Sequence, residues 1–281
     1  MDGSMGMRIG EKLHDMALLI KAEFKRDLLF MKRYPLEPLS FLFFMYVILM
    51  AIIFGFDELL NVTDKKVLNH EIMILGYCLM QYTLAAQMGW SGQIQNESQT
   101  GTLEQLSISG HNLGDVLLSR GIAQFPRHVF SFFLLLFAYS LSLSETRIIF
   151  AHIPEVILTL FITGLGIFGV AYVFAGVTLI FKRVGFFFQI ANFGFLGLFW
   201  LDRTGMEPSS WKAVLYDNFP LTQGMSNLRL LMLAPQRNPG LAEHAGLGHL
   251  LLISLISLCL GYLAFLAMEK RARKLALLSQ Y

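Results

Sequence analysis

Few residues in this chain have the types and spacing that chemistry requires. Gly89-Trp90-Ser91-Gly92 sets a serine among small residues, and His249 stands in an otherwise apolar stretch, so the two could serve as nucleophile and general base. Such a pair must approach to about 3 Å. Gly164-Leu165-Gly166-Ile167-Phe168-Gly169 matches the G-x-G-x-x-G pattern of a phosphate-cradling turn, which functions between a strand and a water-facing helix start. No G-x-x-x-x-G-K-[ST], H-E-x-x-H or metal-type cysteine spacing occurs, and Cys78 and Cys259 read as small buried thiols. The polar run Gln95 to Gly110 has another character. Gly101 permits a sharp turn, Thr102 and Gln105 have capping-box spacing, and Leu103 and Leu106 share one face while Glu104 and Gln105 take others. That is a short exposed helix shaped to enter a partner's groove.

These residues must be positioned by elements suited to lipid. Of 281 residues, 55% are hydrophobic and 15% charged, where a soluble domain carries about 25% charged. Mean hydropathy is +0.56. Disordered, collagen-like and disulfide-scaffold classes drop out, and a net charge of +2 makes no case for nucleic acid. Six stretches, Leu39–Phe56, Ile72–Trp90, Ile122–Leu143, Val156–Phe181, Val184–Leu201 and Leu247–Met268, are each long enough to cross a ~30 Å hydrocarbon core. They are too uniformly apolar for alternating barrel strands. The expected fold is therefore an all-α membrane protein, one domain over 1–281 with a six-span bundle at 39–268. Pro126, Arg127 and His128 predict a kinked, near-interface start to the third span.

Fifteen Lys and Arg lie on one side of these spans and seven on the other, which predicts both termini cytoplasmic; the plasma (inner) membrane is the expected location. Met1 to Tyr34 lacks an apolar core with a small-residue cleavage site, so no signal peptide is expected. Within this cytoplasmic segment, 1–34, Leu13, Met16, Ala17, Ile20, Phe24, Leu28 and Met31 share a helical face, and Lys21, Lys25 and Lys32 project elsewhere. The pattern predicts an amphipathic helix on an anionic leaflet, interrupted by Asp27 and separated from the first span by Pro35 and Pro38. A cytoplasmic connection is expected at Gln95–Ser119, a long outer segment at Arg203–Gly246, and a basic tail at 269–281 that anchors the last span.

This topology settles most of the candidate chemistry. The glycine pattern falls mid-span and, continued by Ala171, Ala175 and Gly176, predicts close helix packing. The G-x-S-G run within six spans resembles the rhomboid intramembrane proteases. Span direction, however, puts Ser91 at the cytoplasmic end and His249 at the outer end, roughly a bilayer thickness apart. The sequons Asn61-Val62-Thr63 and Asn96-Glu97-Ser98 are short enough for chance. Gln81 and Gln87 in the second span, and Gln189 and Asn192 in the fifth, are uncharged amides that face either a cargo path or a neighbouring helix. Tyr82, Phe187 and Phe195 are the aromatics expected along such a path.

The run E-x-x-x-G-T-L-E-Q-L after the second span, the six spans, the basic amphipathic N-terminal helix and the tail R-x-R-K-x-x-L-L-x-x-Y together resemble the permease subunits of ABC type-2 exporters. The likeness covers nearly the whole chain. It implies that the polar run is a coupling helix contacting a separate ATP-binding-cassette ATPase subunit, through Glu97, Gly101, Thr102, Leu103, Glu104, Gln105 and Leu106. Glu97 and Glu104 would make charged contacts, and Leu103 and Leu106 apolar ones. It implies a transport subunit without catalytic residues or a cofactor of its own, with ATP and Mg on the partner, and a second permease copy, identical or homologous. Asn218-Phe219-Pro220-Leu221-Thr222, with Arg229 beyond, is similar to the family's outer re-entrant half-helices, where Trp211 and Tyr216 suit an interface. Arg33-Tyr34-Pro35-Leu36-Glu37-Pro38-Leu39 departs from the R-Y-x-x-S-x-L-G-like run of polysaccharide and teichoic-acid exporters. A drug-like, peptide or lipidic cargo is the expectation, with a polysaccharide or lipid-linked glycan as the alternative.

Overall fold

A computed structural model of the chain describes residues 2–61, 70–102, 105, 112–143, 148–181, 184, 188, 190–191, 194, 210–233 and 246–274. Every regular element among them is helical: α1 (Asp2–Arg33), α2 (Leu36–Asn61), α3 (His70–Gln99), α4 (Leu113–Ser142), α5 (Ile153–Ile180), α6 (Trp211–Asn218), α7 (Pro220–Leu233) and α8 (Leu247–Lys274). Pro35 separates α1 from α2, as its missing N–H and its restriction of the preceding residue require. Among the described residues four helices are long and apolar enough to span a membrane: α2 over Leu36–Gly55, α4, α5 and α8. Two of the six expected spans stand apart from this set. Val184–Leu201 lies largely outside the described residues, and α3 is long enough but diluted by Gln81, Gln87 and a polar last two turns.

α5 is the centre of the bundle. Its mid-helix glycines pack as the small-residue pattern predicts: Gly166 meets Ser254, Gly169 meets Ser257, and Gly176 meets Met268 of α8. A Cβ on Gly261 would collide with the Gly169 carbonyl. These pairs advance together along both helices, so α5 and α8 run parallel. α3 runs parallel to them as well, with Tyr82 beside Gly164 and Trp90 against Phe168 and Tyr172. α4 is antiparallel to α3, placing His128 on Tyr82 and Arg120 near Gln93. α2 flanks this core through Tyr139, whose hydroxyl donates to the Met45 carbonyl at 3.0 Å. Its Phe41, Phe43, Phe44 and Phe54 point outward, a patch that water would not tolerate and lipid does.

α6 and α7 form a corner inside this frame. Pro220, the first residue of α7, packs on Gly166 at the middle of α5, while the Met232 carbonyl accepts from Ile149 N–H at 2.9 Å just before α5 begins. α7 therefore climbs beside the first half of α5. Its break from α6 frees the carbonyls of Tyr216 and Phe219, which the Thr222 hydroxyl approaches at 2.5 and 2.8 Å. Ser210 caps α6 by accepting from Ala213 N–H at 3.2 Å.

Several expectations change. α3 continues to Gln99 and α4 starts at Leu113, so the connection expected at Gln95–Ser119 narrows to 100–112. α8 continues through 269–274, with Glu269 buried and 2.7 Å from Arg273, so the start of the expected tail is the end of a helix. Cys78 is buried as expected, but Cys259 is exposed on the outer face of α8.

Candidate functional site

Seven of the candidate coupling and cargo-path residues lie outside the described residues: Leu103, Glu104, Leu106, Phe187, Gln189, Asn192 and Phe195. Glu97 lies in the last turn of α3, and Gly101, Thr102 and Gln105 follow it. Gly101 has φ of 71°, the left-handed conformation that ends helices and favours glycine. A Cβ there would meet nothing within 4 Å, so the dihedral angle, and not space, requires glycine. Thr102 resumes helical geometry, and its hydroxyl donates back to the Glu97 carbonyl at 3.3 Å.

Glu97 does not simply project toward solvent. Its Oε1 lies 2.6 Å from Nη2 of Arg120 on α4, whose side chain is only 4% exposed. Arg120 Nε donates to Glu23 Oε1 on α1 at 3.0 Å, and Nη1 reaches Gln93 Oε1 at 3.5 Å. Glu23 in turn holds Arg26 at 2.7 Å. Two turns along α4, Arg127 Nε lies 3.3 Å from Asp27 Oδ2. A buried guanidinium between two carboxylates is stable because each charge is compensated where water cannot do so. The junction ties three helices together beside the Gly101 turn.

The same junction corrects the predicted face of α1. Its inward seam is Met16, Ile20, Glu23, Asp27 and Met31, while Phe24 and Leu28, at 40% and 47% exposure, turn away from the bundle. Asp27 interrupts the apolar stripe because α4 presents an arginine opposite it. Burial pushes the Asp27 carboxyl above its ordinary value, with Arg127 and Arg26 opposing. The sequence held a signal for this. Glu23 and Asp27 are one turn apart on α1, and Arg120 and Arg127 are two turns apart on α4, so each pair shares a face.

Of the expected cargo-path residues, Gln81 and Tyr82 come together and Gln87 does not join them. Gln81 and Tyr82 line a crevice of about 480 Å³ bounded by the end of α1, the start of α2, α3 and α4. Gln81 Nε2 donates to Met45 Sδ at 2.7 Å, and the Tyr82 hydroxyl donates to the Leu160 carbonyl at 3.0 Å. Arg127, His128, Ser131 and Glu37, none singled out beforehand as path residues, complete its polar lining. Gln87 is 1% exposed and is absent from that lining.

Ser91 and His249 are not brought together. The Ser91 hydroxyl donates to the Gln87 carbonyl at 3.3 Å, and His249 Nε2 lies 2.7 Å from the Asp217 carbonyl. Neighbouring Trp90 stacks on Phe168, whereas Leu250 clusters with Ile162. Six residues or more along α5 separate those levels, roughly 10 Å at the helical rise. The gap is smaller than the bilayer thickness inferred from topology, yet too wide for proton transfer. No family model, curated protein or solved structure matches this chain.

Proposed function

We propose that the chain is the permease subunit of an ATP-driven exporter, pairing with a second permease copy and with separate ATP-binding-cassette ATPase subunits in the plasma (inner) membrane. Its six spans are the four apolar helices, α3 and Val184–Leu201. α3 supports the count because it packs parallel to α5 and antiparallel to α4, and a helix so enclosed can carry amides without meeting lipid. The α6–α7 corner, satisfied by Thr222 and reaching the middle of α5, fits a re-entrant pair entering from the outer face.

The single observation carrying the reading is the left-handed turn at Gly101, joined through Glu97 to the buried Arg120. An exposed turn at 99–102, clamped at its root to α4 and α1, can pass a displacement into the helices. Nucleotide would then favour one packing of the spans over the other by its differential interaction energy, without which no shift occurs. ATP and Mg stay on the partner. The cargo is drug-like, peptide or lipidic, and Gln81 and Tyr82 lie on its route.

The test is purification from native membranes, followed by transport and ATPase assays with Leu103→Ala/Leu106→Ala. An ATPase subunit should co-purify, and the double variant should leave the bundle folded while cutting ATP-driven export at least tenfold. A chain that captures no ATPase, or a variant that exports normally, overturns the proposal.

A further inference from the structure

The crevice bounded by α2, α3 and α4 has charges that do not balance. Arg127 stands in its wall, but that guanidinium is already paired, its Nε 3.3 Å from Asp27 Oδ2 on α1. Glu37, in the first turn of α2, is the other charged residue of the lining, and among the described residues its carboxylate has no ion pair or hydrogen bond. Arg33, one turn before it, lies over the Tyr34 ring at 5.6 Å. With Asp27 cancelling Arg127, the Glu37 charge is left over, and the wall is net negative.

The uncharged polar groups beside it lack partners too. His128 is only 8% exposed and meets the Tyr82 ring edge-on at 6.2 Å, yet among the described residues neither ring nitrogen has a hydrogen-bond partner, and neither is sealed off from the cavity. A neutral imidazole presents one lone pair and one N–H. Ser131, one turn on along α4, is likewise unpartnered and adds a hydroxyl oxygen on the same face. α2 runs parallel to α4, with Met45 meeting Tyr139 and Tyr46 meeting Ser142. Two turns back along each helix, about 12 Å, Glu37 comes level with Ser131. A carboxylate, a hydroxyl oxygen and an imidazole lone pair therefore gather at one end of the crevice, and all three accept hydrogen bonds. A buried acceptor left unmet is costly unless an occupant supplies the donor.

The rest of the lining is apolar and rich in rings, with Phe30, Phe41, Phe132 and Tyr82 beside Leu42 and Leu135. Aromatic faces attract a cation that has left water. The volume of about 480 Å³ lies within the range of small-molecule sites.

We infer that this crevice binds a lipophilic monoamine, its ammonium group bonded to Glu37, Ser131 and His128 and its apolar body lying against Phe41, Phe132 and Leu135. A single positive charge balances the wall, and the three N–H donors of an ammonium meet three acceptors. An anionic head would be repelled by Glu37 and would find Arg127 already taken. The inference names a cargo class for the exporter reading, but binding itself needs no ATPase, so the two fail separately.

The experiment uses the full chain purified in a maltoside, a detergent with an uncharged head, and three photoprobes that share one body: 4-(aminomethyl)benzophenone, 4-(hydroxymethyl)benzophenone and 4-benzoylbenzoate. Labelling by the amine should saturate, map to Phe41–Leu42 and Phe132–Leu135, and half-saturate at a concentration at least fivefold below that of the alcohol. The carboxylate should not saturate. Glu37 is exposed, so Glu37→Gln should fold normally. It should weaken the amine at least fivefold and leave the alcohol within twofold, the unchanged alcohol showing that the crevice is intact. Asp27→Asn, which releases Arg127, should weaken the amine as well and admit the carboxylate.

Equal half-saturation by amine and alcohol, a Glu37→Gln effect shared by both, or saturation by the carboxylate in the parent chain overturns the amine assignment. Labelling that never saturates and spreads over the outward face of α8 overturns the site. A chain that binds the amine in this way yet captures no ATPase keeps this inference and removes the transport reading.

Discussion

Arg120 Nη2 lies 2.6 Å from Glu97 Oε1, and that contact roots the last turn of α3 in the interior of the bundle. Because the same guanidinium also binds Glu23, three helices share one buried charge. Arg120→Ala would leave Glu97 without its counter-charge and Glu23 with Arg26 alone, and should destabilise by roughly 3 kcal/mol. Glu97→Gln and Glu23→Gln should each cost less, since Arg120 keeps its other partner. Thermal unfolding in detergent checks the order, and a double variant Glu23→Gln/Glu97→Gln is expected to exceed the sum of the two singles, because it strands the arginine.

The Gly101 turn separates conformation from packing. Gly101→Ala should cost about 1 kcal/mol, as a side chain is forced into the left-handed region with no clash to relieve, while Gly101→Asn should cost less. The sharper readout is partner binding. In a pull-down with the proposed ATPase subunit, Ala should weaken capture and Asn should restore part of it, because the dihedral angle sets the direction in which the chain leaves α3.

The α5–α8 contact permits no side chain where Gly169 and Gly261 meet. Gly261→Ala should lower stability by about 2 kcal/mol through backbone overpacking. Gly92→Ala is the control, since nothing lies within 4 Å of a Cβ there, and helix propensity alone should make it neutral or stabilising by up to about 1 kcal/mol. Loss of the folded species in both variants, or in neither, would contradict the close packing at Gly261.

Asp27 supplies a pH dependence of defined sign. Burial raises its folded-state value above the ordinary 3.8, so the folded chain binds this proton more tightly than the unfolded one. Its contribution favours folding at low pH and is lost as pH rises through the folded value, leaving a cost at neutral pH. Asp27→Asn should therefore stabilise the docking of α1 at pH 7, and the advantage should shrink on acidification toward 3.8. Hydrogen exchange along Met16–Met31 measures this directly; a variant that loosens α1 at neutral pH would reverse the sign.

Much of the architecture was legible because hydropathy and helical period are local properties. Val156–Phe181 reads as a span and α5 covers Ile153–Ile180, its glycines packed as their spacing predicts. Gly101 was legible as a turn for the same reason, since left-handed backbone is a property of one residue. The site was less so. Glu97 reads in the sequence as a contact for a partner, and only the approach of α4 turns it toward Arg120.

By itself, then, the sequence determined which stretches are helical, which of them prefer lipid, and where small residues allow helices to touch, because each follows from side chains within a few turns of one another. The tertiary structure alone decided that Glu23 would meet an arginine 97 residues away and that Gln81 would line a crevice while Gln87 would not. Those outcomes depend on how each helix is rotated about its axis. That rotation is set by the summed packing and charge pairing of the whole bundle, which no local window contains.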